Sequence, residues 1–286
     1  MQRLFVFAHF DRDHIIDPYI VRYVSALSQL GIVIFISTSP LSPAEIAKIR
    51  PFTIREICRP NIGYDFMSWQ LGLRILEDIP KYDEVIICND SVYAPIFRLG
   101  EMFEVMERSQ AAYWGVTSNS EVAHHIQSYF MVFRRPVLER EEFWRFWNDV
   151  GPQPSKRAVI EAYELGLSVL LKQIGLSSAT YFSLDEELND ALANFKCFSV
   201  LPLITTVGST PGSLSAVQLL TGRYNKTLTL WRELILARVP MIKVQLLRDN
   251  PTRQPIDDIL AALGRHSLYP VPMIRDHLRR MHSDVR

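Results

Sequence analysis

The triplet Asn89-Asp90-Ser91 stands directly after the apolar run Glu84-Val85-Ile86-Ile87-Cys88. Such a run is typical of a central strand that is covered on both faces. A carboxylate at its end is costly to desolvate unless it meets a cation, a metal ion or several hydrogen-bond donors. Mg²⁺ or Mn²⁺ would supply that charge, because such ions use one or two carboxylates together with substrate phosphate oxygens. The triplet is also good turn chemistry, so Asp90 is predicted either to bind a metal at a nucleotide-diphosphate site or to begin a turn.

Polar residues also follow other predicted strands, and open α/β sheets bind ligands outside the carboxyl ends of their strands. His9-Phe10-Asp11 follows the first strand, Ser37-Thr38 follows the second, and Arg59 with the turn Asn61-Ile62-Gly63-Tyr64-Asp65 follows the third. An aspartate before an apolar-periodic segment is a favoured N-cap, which predicts a capping role for Asp65. The preceding glycine would also let the backbone approach a ligand beside a helix N-terminus, and the two roles are compatible.

A further candidate lies on a predicted helix, where Glu161, Glu164 and Ser168 share one face at spacings of three and four residues. This polar stripe is either a solvated surface or, if it faces a cleft, the source of a general base for a sugar hydroxyl. The adjacent pair His124-His125 cannot readily grip one metal ion in an extended segment, because its members point to opposite faces. One of the two histidines could still line a site.

These candidates need a scaffold, and the first third of the chain alternates short β-branched runs with helical segments. The alternation predicts βαβ units in a mostly parallel sheet flanked by helices. Predicted strands cover residues 4–8, 32–36, 53–57, 84–88 and 127–133, and predicted helices cover residues 18–30, 65–80, 160–174 and 228–237. Residues 208–222 are rich in Gly, Ser and Thr and predict a loop. We therefore predict an α/β domain over residues 1–222, with a helical extension over residues 223–286 packed on it.

The composition excludes several classes of protein. The chain has 286 residues, 48% of them hydrophobic, which is enough for a large core. Lysine plus arginine equal aspartate plus glutamate at 31 each, so no net positive field favours a nucleic acid partner. The three cysteines form no C-x-x-C pair, and neither a zinc site nor a disulfide framework is indicated. With no apolar run of roughly 18 residues and no signal segment, we expect a cytoplasmic protein.

Several segments together resemble the rhamnan synthesis protein F family, bacterial glycosyltransferases of cell-wall and O-antigen polysaccharide assembly. The likeness runs along nearly the whole chain. The matching segments are Phe7-Ala8-His9-Phe10-Asp11, Arg59-Pro60-Asn61-Ile62-Gly63-Tyr64-Asp65, Tyr82-Asp83-Glu84-Val85-Ile86, Asn89-Asp90-Ser91-Val92-Tyr93-Ala94-Pro95, Trp114-Gly115, His125-Ile126-Gln127-Ser128-Tyr129-Phe130, Tyr163-Glu164-Leu165-Gly166-Leu167-Ser168, Pro240-Met241-Ile242-Lys243 and Asn250-Pro251.

The resemblance implies a GT-A-like, Rossmann-related fold that binds a nucleotide-sugar donor such as dTDP-L-rhamnose and a lipid-linked or growing glycan acceptor. It implies that Asp90 belongs to a metal-binding motif, here with a single carboxylate, and that Glu164 is the catalytic base. The expected cofactor is a divalent cation, Mg²⁺ or Mn²⁺. The donor-binding candidates are His9, Asp11, Ser37, Arg59, Asn61, Gly63, Asp65, Asn89, Ser91 and Lys243. The acceptor-binding candidates are Trp114, His125, Gln127 and Tyr129.

Two functional hypotheses follow. The first is an inverting transferase in which Glu164 deprotonates the acceptor hydroxyl while Asp90 orients a cation on the diphosphate. The second is a non-catalytic glycan-binding or scaffold subunit, in which exposed aromatic side chains stack on sugars. Its candidates are Trp69, Tyr93, Trp114 and Tyr129. The basic C-terminal tail, which contains Arg275, Arg279 and Arg280, either rests on the inner membrane surface or forms a helix packed on the domain.

Overall fold

The computed structural model describes residues 1–75, 81–120, 123–183 and 225–282. Its centre is a seven-stranded sheet in the order β10-β6-β9-β4-β1-β2-β3. The strands of this sheet are β1 (Arg3–His9), β2 (Ile32–Ser37), β3 (Arg55–Cys58), β4 (Glu84–Asn89), β6 (Tyr113–Gly115), β9 (Phe130–Arg134) and β10 (Ser178–Thr180). Two small ribbons complete the strands: β5 (Val92–Tyr93) pairs with β11 (Ile242–Lys243), and β7 (Ser118–Asn119) pairs with β8 (His125–Ile126).

The sheet is mixed and mostly parallel, which confirms the predicted fold class. Strand β1 runs parallel to both β2 and β4, with Leu4 opposite Ile32 and Val85. The exception is β9, which is antiparallel to β4 and to β6. The strand predicted over residues 127–133 starts later, at Phe130. Residues 127–129 do not pair with a neighbouring strand of the sheet, and they belong to the candidate site described in the next subsection.

Helices cover both faces of the sheet. They are α1 (Pro18–Ser28), α2 (Pro43–Ala47), α3 (Tyr64–Arg74), α4 (Leu99–Met106), α5 (Arg135–Leu138), α6 (Glu141–Asn148), α7 (Lys156–Val159), α8 (Gly166–Gln173), α9 (Lys226–Thr229), α10 (Trp231–Leu236), α11 (Val244–Arg248), α12 (Ile256–His266) and α13 (Val271–His282). Successive strand side chains point to opposite faces. Phe5 and Phe7 accordingly pack with α1, α4 and the C-terminal helices, whereas Leu4 and Val6 pack with α3, α6 and α8.

The helix predicted over residues 160–174 is continuous but not uniform. Between α7 and α8 the segment Ile160–Leu165 is a π-helix. The extra residue per turn rotates the chain, so the buried side chains are Val159, Tyr163, Leu167 and Leu171, while Ile160 and Leu170 are only half-buried. Short π segments inside α-helices frequently mark functional sites.

The C-terminal segment is joined to the sheet domain through β11, whose Lys243 pairs with Val92 of β5. The apolar side chains of α13, among them Ile274 and Leu278, pack on the same core cluster as α1. Of the two predictions for the basic tail, the helix packed on the domain is the one observed. The predicted loop over residues 208–222, the end of the predicted helix 65–80 and the domain boundary at residue 222 lie outside the described residues.

Candidate functional site

The site forms where β1 and β4 lie side by side and the strand order reverses. The carboxyl ends of parallel strands lie at the same edge of a sheet. A crevice opens there between two neighbouring strands when the chain leaves one strand toward one face of the sheet and the other strand toward the opposite face. Asn89 at the end of β4 and His9 at the end of β1 stand at this edge. The triplet Asn89-Asp90-Ser91 leads from β4 into β5, so the predicted strand-end location is where the structure has it.

Asp90 and Asp65 face this crevice together. The Asp90 carboxylate accepts a hydrogen bond from the backbone N–H of Phe10 at 2.6 Å, and the Asn89 amide donates to Asp65 at 2.8 Å. Burial and, after it, the charge of the neighbouring Asp65 raise the pKa of Asp90 to about 8. Burial also raises the pKa of Asp65, although the Asn89 hydrogen bond and the attraction of Lys156, Lys243 and Arg59 oppose the rise. Within the described residues, no arginine or lysine forms an ion pair with Asp90.

The position of Asp65 corrects its predicted capping role. Helix α3 begins at Tyr64 with Gly63 as its N-cap, and no side chain caps it. Gly63 has φ +74°, where a side chain would be strained and a Cβ would overlap the Met67 sulfur. Asp65 lies inside the first helical turn, and its carboxylate turns away from the cap to reach Asn89.

Lys243 is a partly buried cation beside the acids of the crevice. Its ammonium donates to the Ser91 hydroxyl at 3.1 Å and lies 4.2 Å from the centre of the Tyr129 ring. Burial lowers the pKa of Lys243 to about 8, while electrostatic interactions with Glu164, Asp65 and Asp90 oppose this shift. The three carboxylates therefore converge around one lysine, although they come from β4, α3 and the π-helix.

Glu164 is held by two donors at the mouth of this cluster. The Ser128 hydroxyl donates to one carboxylate oxygen at 2.6 Å, and His125 Nε2 lies 3.0 Å from the other. Burial alone would raise the pKa of Glu164, but the hydrogen bonds from His125 and Ser128 hold it below its usual value. The side chain keeps 15% exposure, whereas Glu161 on the same helix points outward and pairs with Arg157. The polar stripe thus divides: Glu164 faces the cleft and Glu161 the solvent.

His125 has an acceptor at each ring nitrogen. Nδ1 lies 2.7 Å from the Ala123 carbonyl oxygen, and Nε2 faces Glu164. Only the protonated ring can donate to both oxygens at once. The pair is therefore best satisfied as an imidazolium next to a carboxylate.

Several predicted donor-binding side chains are committed to the protein itself. His9 and Ser37 are buried and bond to each other at 2.9 Å, and burial lowers the pKa of His9 to about 4. Arg59 donates to the carbonyls of Pro60, Ile62 and Tyr64 and to the Ser68 hydroxyl, so it holds the turn before α3. Asn61 lies exposed on that turn.

Asp11 is likewise occupied. Its carboxylate accepts from the backbone N–H groups of Asp13 and Ile15 and pairs with Arg280 of α13. Hydrogen-bonded in this way, it orders the loop after β1 and presents no free oxygen toward the crevice. We correct its predicted role from a donor ligand to a loop-forming residue.

The predicted acceptor-binding residues also divide. Trp114 has 0% exposure and packs between Phe103 and Phe130, so its ring is a core side chain with no face open to a sugar. The Tyr129 hydroxyl lies 2.8 Å from the Thr117 hydroxyl, which in turn donates to Gln127 at 2.7 Å. These two predicted acceptor residues form a buried chain below the cleft, and of the four only His125 reaches Glu164.

Two contacts at the site were missed by sequence reasoning. Ser128 was predicted within a strand, and only its exclusion from β9 turns its hydroxyl to Glu164. Tyr19 of α1 donates to the backbone carbonyl of Asp90 at 3.3 Å. The first had a signal in the serine that interrupts an otherwise apolar segment, and the second had none.

The chain is similar in sequence to one protein family and to several individual proteins. The model of a family described as rhamnan synthesis protein F matches residues 33–206. The virulence protein VirA of Vibrio anguillarum is 28% identical over 202 residues, which cover 69% of this chain and 63% of that protein. The uncharacterized protein y4gN of Sinorhizobium fredii is 26% identical over 180 residues, covering 61% and 46% respectively. The chain thus spans less than two thirds of the length of these relatives.

Solved structures overlap the chain more loosely. Core-mannan synthase A of Aspergillus fumigatus, in a Mn/GDP form, overlaps 59% of this chain and 70% of its own, with a TM-score of 0.34 and 9% identity. A glycosyltransferase involved in glycosylation of the major capsid of PBCV-1 overlaps 63% and 81%, with a TM-score of 0.33 and 11% identity. At TM-scores of this size, the fold assignment rests on the sheet topology of the chain itself.

Proposed function

Because the chain belongs to the rhamnan synthesis protein F family, we propose that it is a GT-A-type glycosyltransferase that takes a sugar from a nucleotide-linked donor. The observation that carries the proposal is the convergence of Asp90, Asp65 and Glu164 around Lys243 at the edge of the sheet where the strand order reverses. Perturbed acids and a perturbed lysine in one cleft are typical of a catalytic site.

The donor diphosphate occupies the side of the cleft that holds Asp90 and Asp65. Asp90 and Asp65 offer hard carboxylate oxygens that, among the described residues, form no ion pair, which fits Mg²⁺ or Mn²⁺. Within the described residues no cluster of three or more His, Cys, Asp or Glu side chains could hold a metal ion. Asp90 and Asp65 would therefore hold the ion together with phosphate oxygens of the donor. When bound, the ion supplies positive charge beside the departing diphosphate.

The acceptor hydroxyl approaches Glu164. Its carboxylate is ionised at neutral pH, as a general base must be, and it keeps a small exposed surface at the cleft. As the acceptor oxygen attacks the anomeric carbon, its proton passes to Glu164 and the bond from that carbon to the phosphate oxygen breaks. Ser128 and His125 hold the carboxylate in place throughout. A single displacement of this kind inverts the configuration at the anomeric carbon.

The leaving group departs with the bonding electron pair as a nucleotide diphosphate. Lys243 stabilises it, because its ammonium, whose pKa burial lowers to about 8, remains mostly protonated at neutral pH and attracts the phosphate oxygens. Ser91 orients the lysine through its hydroxyl. Such preorganised charge at the leaving group is commonly the largest part of catalysis.

The family description favours dTDP-L-rhamnose as the donor and a cell-surface polysaccharide or lipid-linked glycan as the acceptor. We propose that the protein acts in the cytoplasm at the inner face of the membrane. None of the helices described in the structure is long and apolar enough to cross a bilayer. The tail helix α13 buries Ile274 against the domain, so contact with the membrane would depend on the basic surface of this helix. Liposome flotation tests the contact: protein that stays in the pellet would argue against membrane binding.

The glycan-binding alternative loses its support. Its proposed stacking residues Trp69, Tyr93, Trp114 and Tyr129 are all buried in the core. An aromatic ring with both faces packed cannot serve as a platform for a sugar.

The test is transfer itself. The full chain is incubated with dTDP-L-rhamnose, Mn²⁺ and a rhamnosylated acceptor, and both dTDP release and acceptor mass are followed; UDP-glucose and GDP-mannose run in parallel. We expect acceptor-dependent dTDP release and a mass gain of one deoxyhexose. No transfer from any of the three donors, together with no thermal stabilisation by dTDP or UDP, would refute the proposal.

A further inference from the structure

The loop over residues 11–17 connects β1 to α1 and lies beside the donor side of the cleft. Its neighbour Phe10 donates its backbone N–H to Asp90, so any shift of this loop is transmitted to the central carboxylate. The loop carries three aspartates, Asp11, Asp13 and Asp17. Three like charges on so short a loop repel one another unless a cation is placed between them.

Arg280 supplies that cation from the far end of the chain. One terminal nitrogen lies 2.5 Å from Asp11 and 2.5 Å from Asp17, and the other pairs with Asp13. Burial opposes the charge on Arg280, but the hydrogen bonds to Asp11 and Asp17 raise its pKa above the usual value. We call Arg280 and these three aspartates the clamp cluster. The guanidinium of Arg280 has several N–H donors in one plane, so it can bond to carboxylates on different sides. The compact ammonium of a lysine could not bridge them in the same way.

A second contact ties the same helix to the other side of Asp90. His277 of α13 accepts at Nδ1 from the Tyr93 hydroxyl at 2.7 Å, and its ring packs on Tyr19 at 4.7 Å. Burial lowers the pKa of His277 to about 4, so the ring is neutral; with its one proton on Nε2, which lies 3.8 Å from an Asp17 carboxylate oxygen, Nδ1 is the acceptor for the Tyr93 hydroxyl. Tyr93 follows the Asn89-Asp90-Ser91 triplet by two residues. Helix α13 therefore contacts two segments beside Asp90: the loop over residues 11–17 and the strand that contains Tyr93.

The clamp does not belong to the part of the chain that the family model matches. Residues 11–17 and residues 277–280 both lie outside residues 33–206. Among the described residues, Arg279, the neighbour of Arg280, forms one ion pair, with Asp276 on the surface of the same helix. Of the two adjacent arginines, Arg280 contacts the loop over residues 11–17, whereas Arg279 pairs within its own helix.

We infer that Arg280 is a positioning residue for the donor site, holding the loop after β1 against Asp90 so that the C-terminal helix sets the affinity for the nucleotide. The inference rests on the proposed function, since it assigns a determinant of donor binding at the same cleft. Without Arg280 the three aspartates repel, the loop moves outward, and the Phe10 N–H leaves Asp90.

The experiment compares Arg280→Ala and Arg280→Lys with the matched surface control Arg279→Ala in the full chain. Calorimetric titration with dTDP in the presence of Mn²⁺ gives the affinity, and hydrogen exchange of residues 11–17 reports the loop. We expect Arg280→Ala to weaken dTDP binding by about tenfold or more and to speed loop exchange, because small misplacements near a site have large effects. Arg279→Ala should match the wild type, and Arg280→Lys should lie between.

Steady-state kinetics separates positioning from a general loss of fold. In Arg280→Ala the KM for the donor rises while kcat at saturating donor changes little. Equal dTDP affinity and equal loop exchange in Arg280→Ala and Arg279→Ala would overturn the inference while leaving the transferase proposal intact. Absence of dTDP and UDP binding by the wild type would instead overturn the donor site, and the positioning role with it. If Arg280→Ala does not fold, the same comparison is made with Arg280→Lys, whose wild-type affinity would also count against the inference.

Discussion

Two groups of acidic side chains stand at the same edge of the sheet, and they are treated in opposite ways. In the clamp cluster, three aspartates surround a guanidinium. In the donor cluster, which we define as Asp65, Asn89 and Asp90, the Asn89 amide donates to Asp65 and the Phe10 backbone N–H donates to Asp90. The first arrangement places a cation among its carboxylates, whereas in the second, burial and then the charge of Asp65 raise the pKa of Asp90 to about 8.

We interpret the aspartates of the clamp cluster as structural and those of the donor cluster as functional. An arginine placed beside a buried acid offsets the cost of removing that acid from water, as Arg280 does at Asp11. Leaving Asp90 without such a partner costs stability, and that cost is expected where a ligand supplies the missing cation. Lys243 attracts Asp65 and Asp90 electrostatically, but its ammonium donates to Ser91 and, among the described residues, forms no ion pair with Asp90.

Glu164 gives the largest expected effect, since it is a paired carboxylate inside the functional site. Glu164→Gln should lower kcat by about 10²- to 10⁴-fold, because the amide cannot accept the proton of the acceptor hydroxyl. The change is measured as dTDP release at saturating donor and acceptor. Glu161→Gln, on the solvent face of the same helix, is the control and should keep full activity. Unchanged turnover in Glu164→Gln would remove Glu164 from the role of base.

The clamp cluster gives the next effect. Arg280→Ala should lower the free energy of unfolding by about 2 kcal/mol, less than for a fully buried pair because the arginine keeps some exposure. Arg279→Ala should stay within about 0.5 kcal/mol of the wild type. Urea denaturation at neutral pH measures both. If the two variants lose equal stability, the aspartates do not depend on Arg280.

The donor cluster should respond with the opposite sign. The folded-state pKa of Asp90, about 8, lies above its usual value, so the folded wild type holds an extra proton between these two pH values and loses stability as pH rises through that window. Asp90→Asn lacks this titration. It should therefore exceed the wild type in unfolding free energy by about 1 kcal/mol at pH 8.5, with the gap closing toward pH 4.

Urea denaturation at several pH values measures this difference. Asp13→Asn in the clamp cluster is the contrasting variant, and it should be destabilising because it removes an ion pair with Arg280. A destabilised Asp90→Asn at pH 8.5 would contradict the view that Asp90 is ionised without an ion-pair partner.

The smallest effect concerns the cation. Because a metal binds the ionised carboxylate, the rise in melting temperature caused by Mn²⁺ should grow between pH 6 and pH 8.5 as Asp90 ionises. The rise should disappear in Asp90→Asn and persist in Arg279→Ala. Differential scanning calorimetry with and without Mn²⁺ measures it. A pH-independent response would place the ion away from Asp90.

Much of the scaffold could be predicted from the sequence. Strands β1, β2 and β4 and helix α1 follow local patterns of β-branched runs and apolar periodicity, and their ends fall within a few residues of the prediction. The strand-end location of Asn89-Asp90-Ser91 is local information too, because an abrupt change from apolar to polar residues ends a buried strand. Glu164 and Lys243 were singled out through resemblance to the family, and both reach the cleft.

The partners of these residues could not be predicted in the same way. The π-helix that turns Glu164 inward depends on how the helix packs, and the antiparallel placement of β9 decides where Ser128 points. Trp114 has the residue type of a sugar platform, and only the packing of both its faces shows it to be core. Residue type indicates what a side chain can do but not which side of it remains open.

The sequence by itself determined the alternation of strands and helices and the position of Asp90 at the end of an apolar central strand. Tertiary structure alone decided which acids pair with an arginine, because that depends on side chains far apart in the chain. Arg280 pairs with Asp11 across 269 positions, whereas Asp90 faces Asp65 from only 25 positions away and, among the described residues, pairs with no arginine. Electrostatic pairing is set by distance in space and by burial, and neither is written in local sequence periodicity.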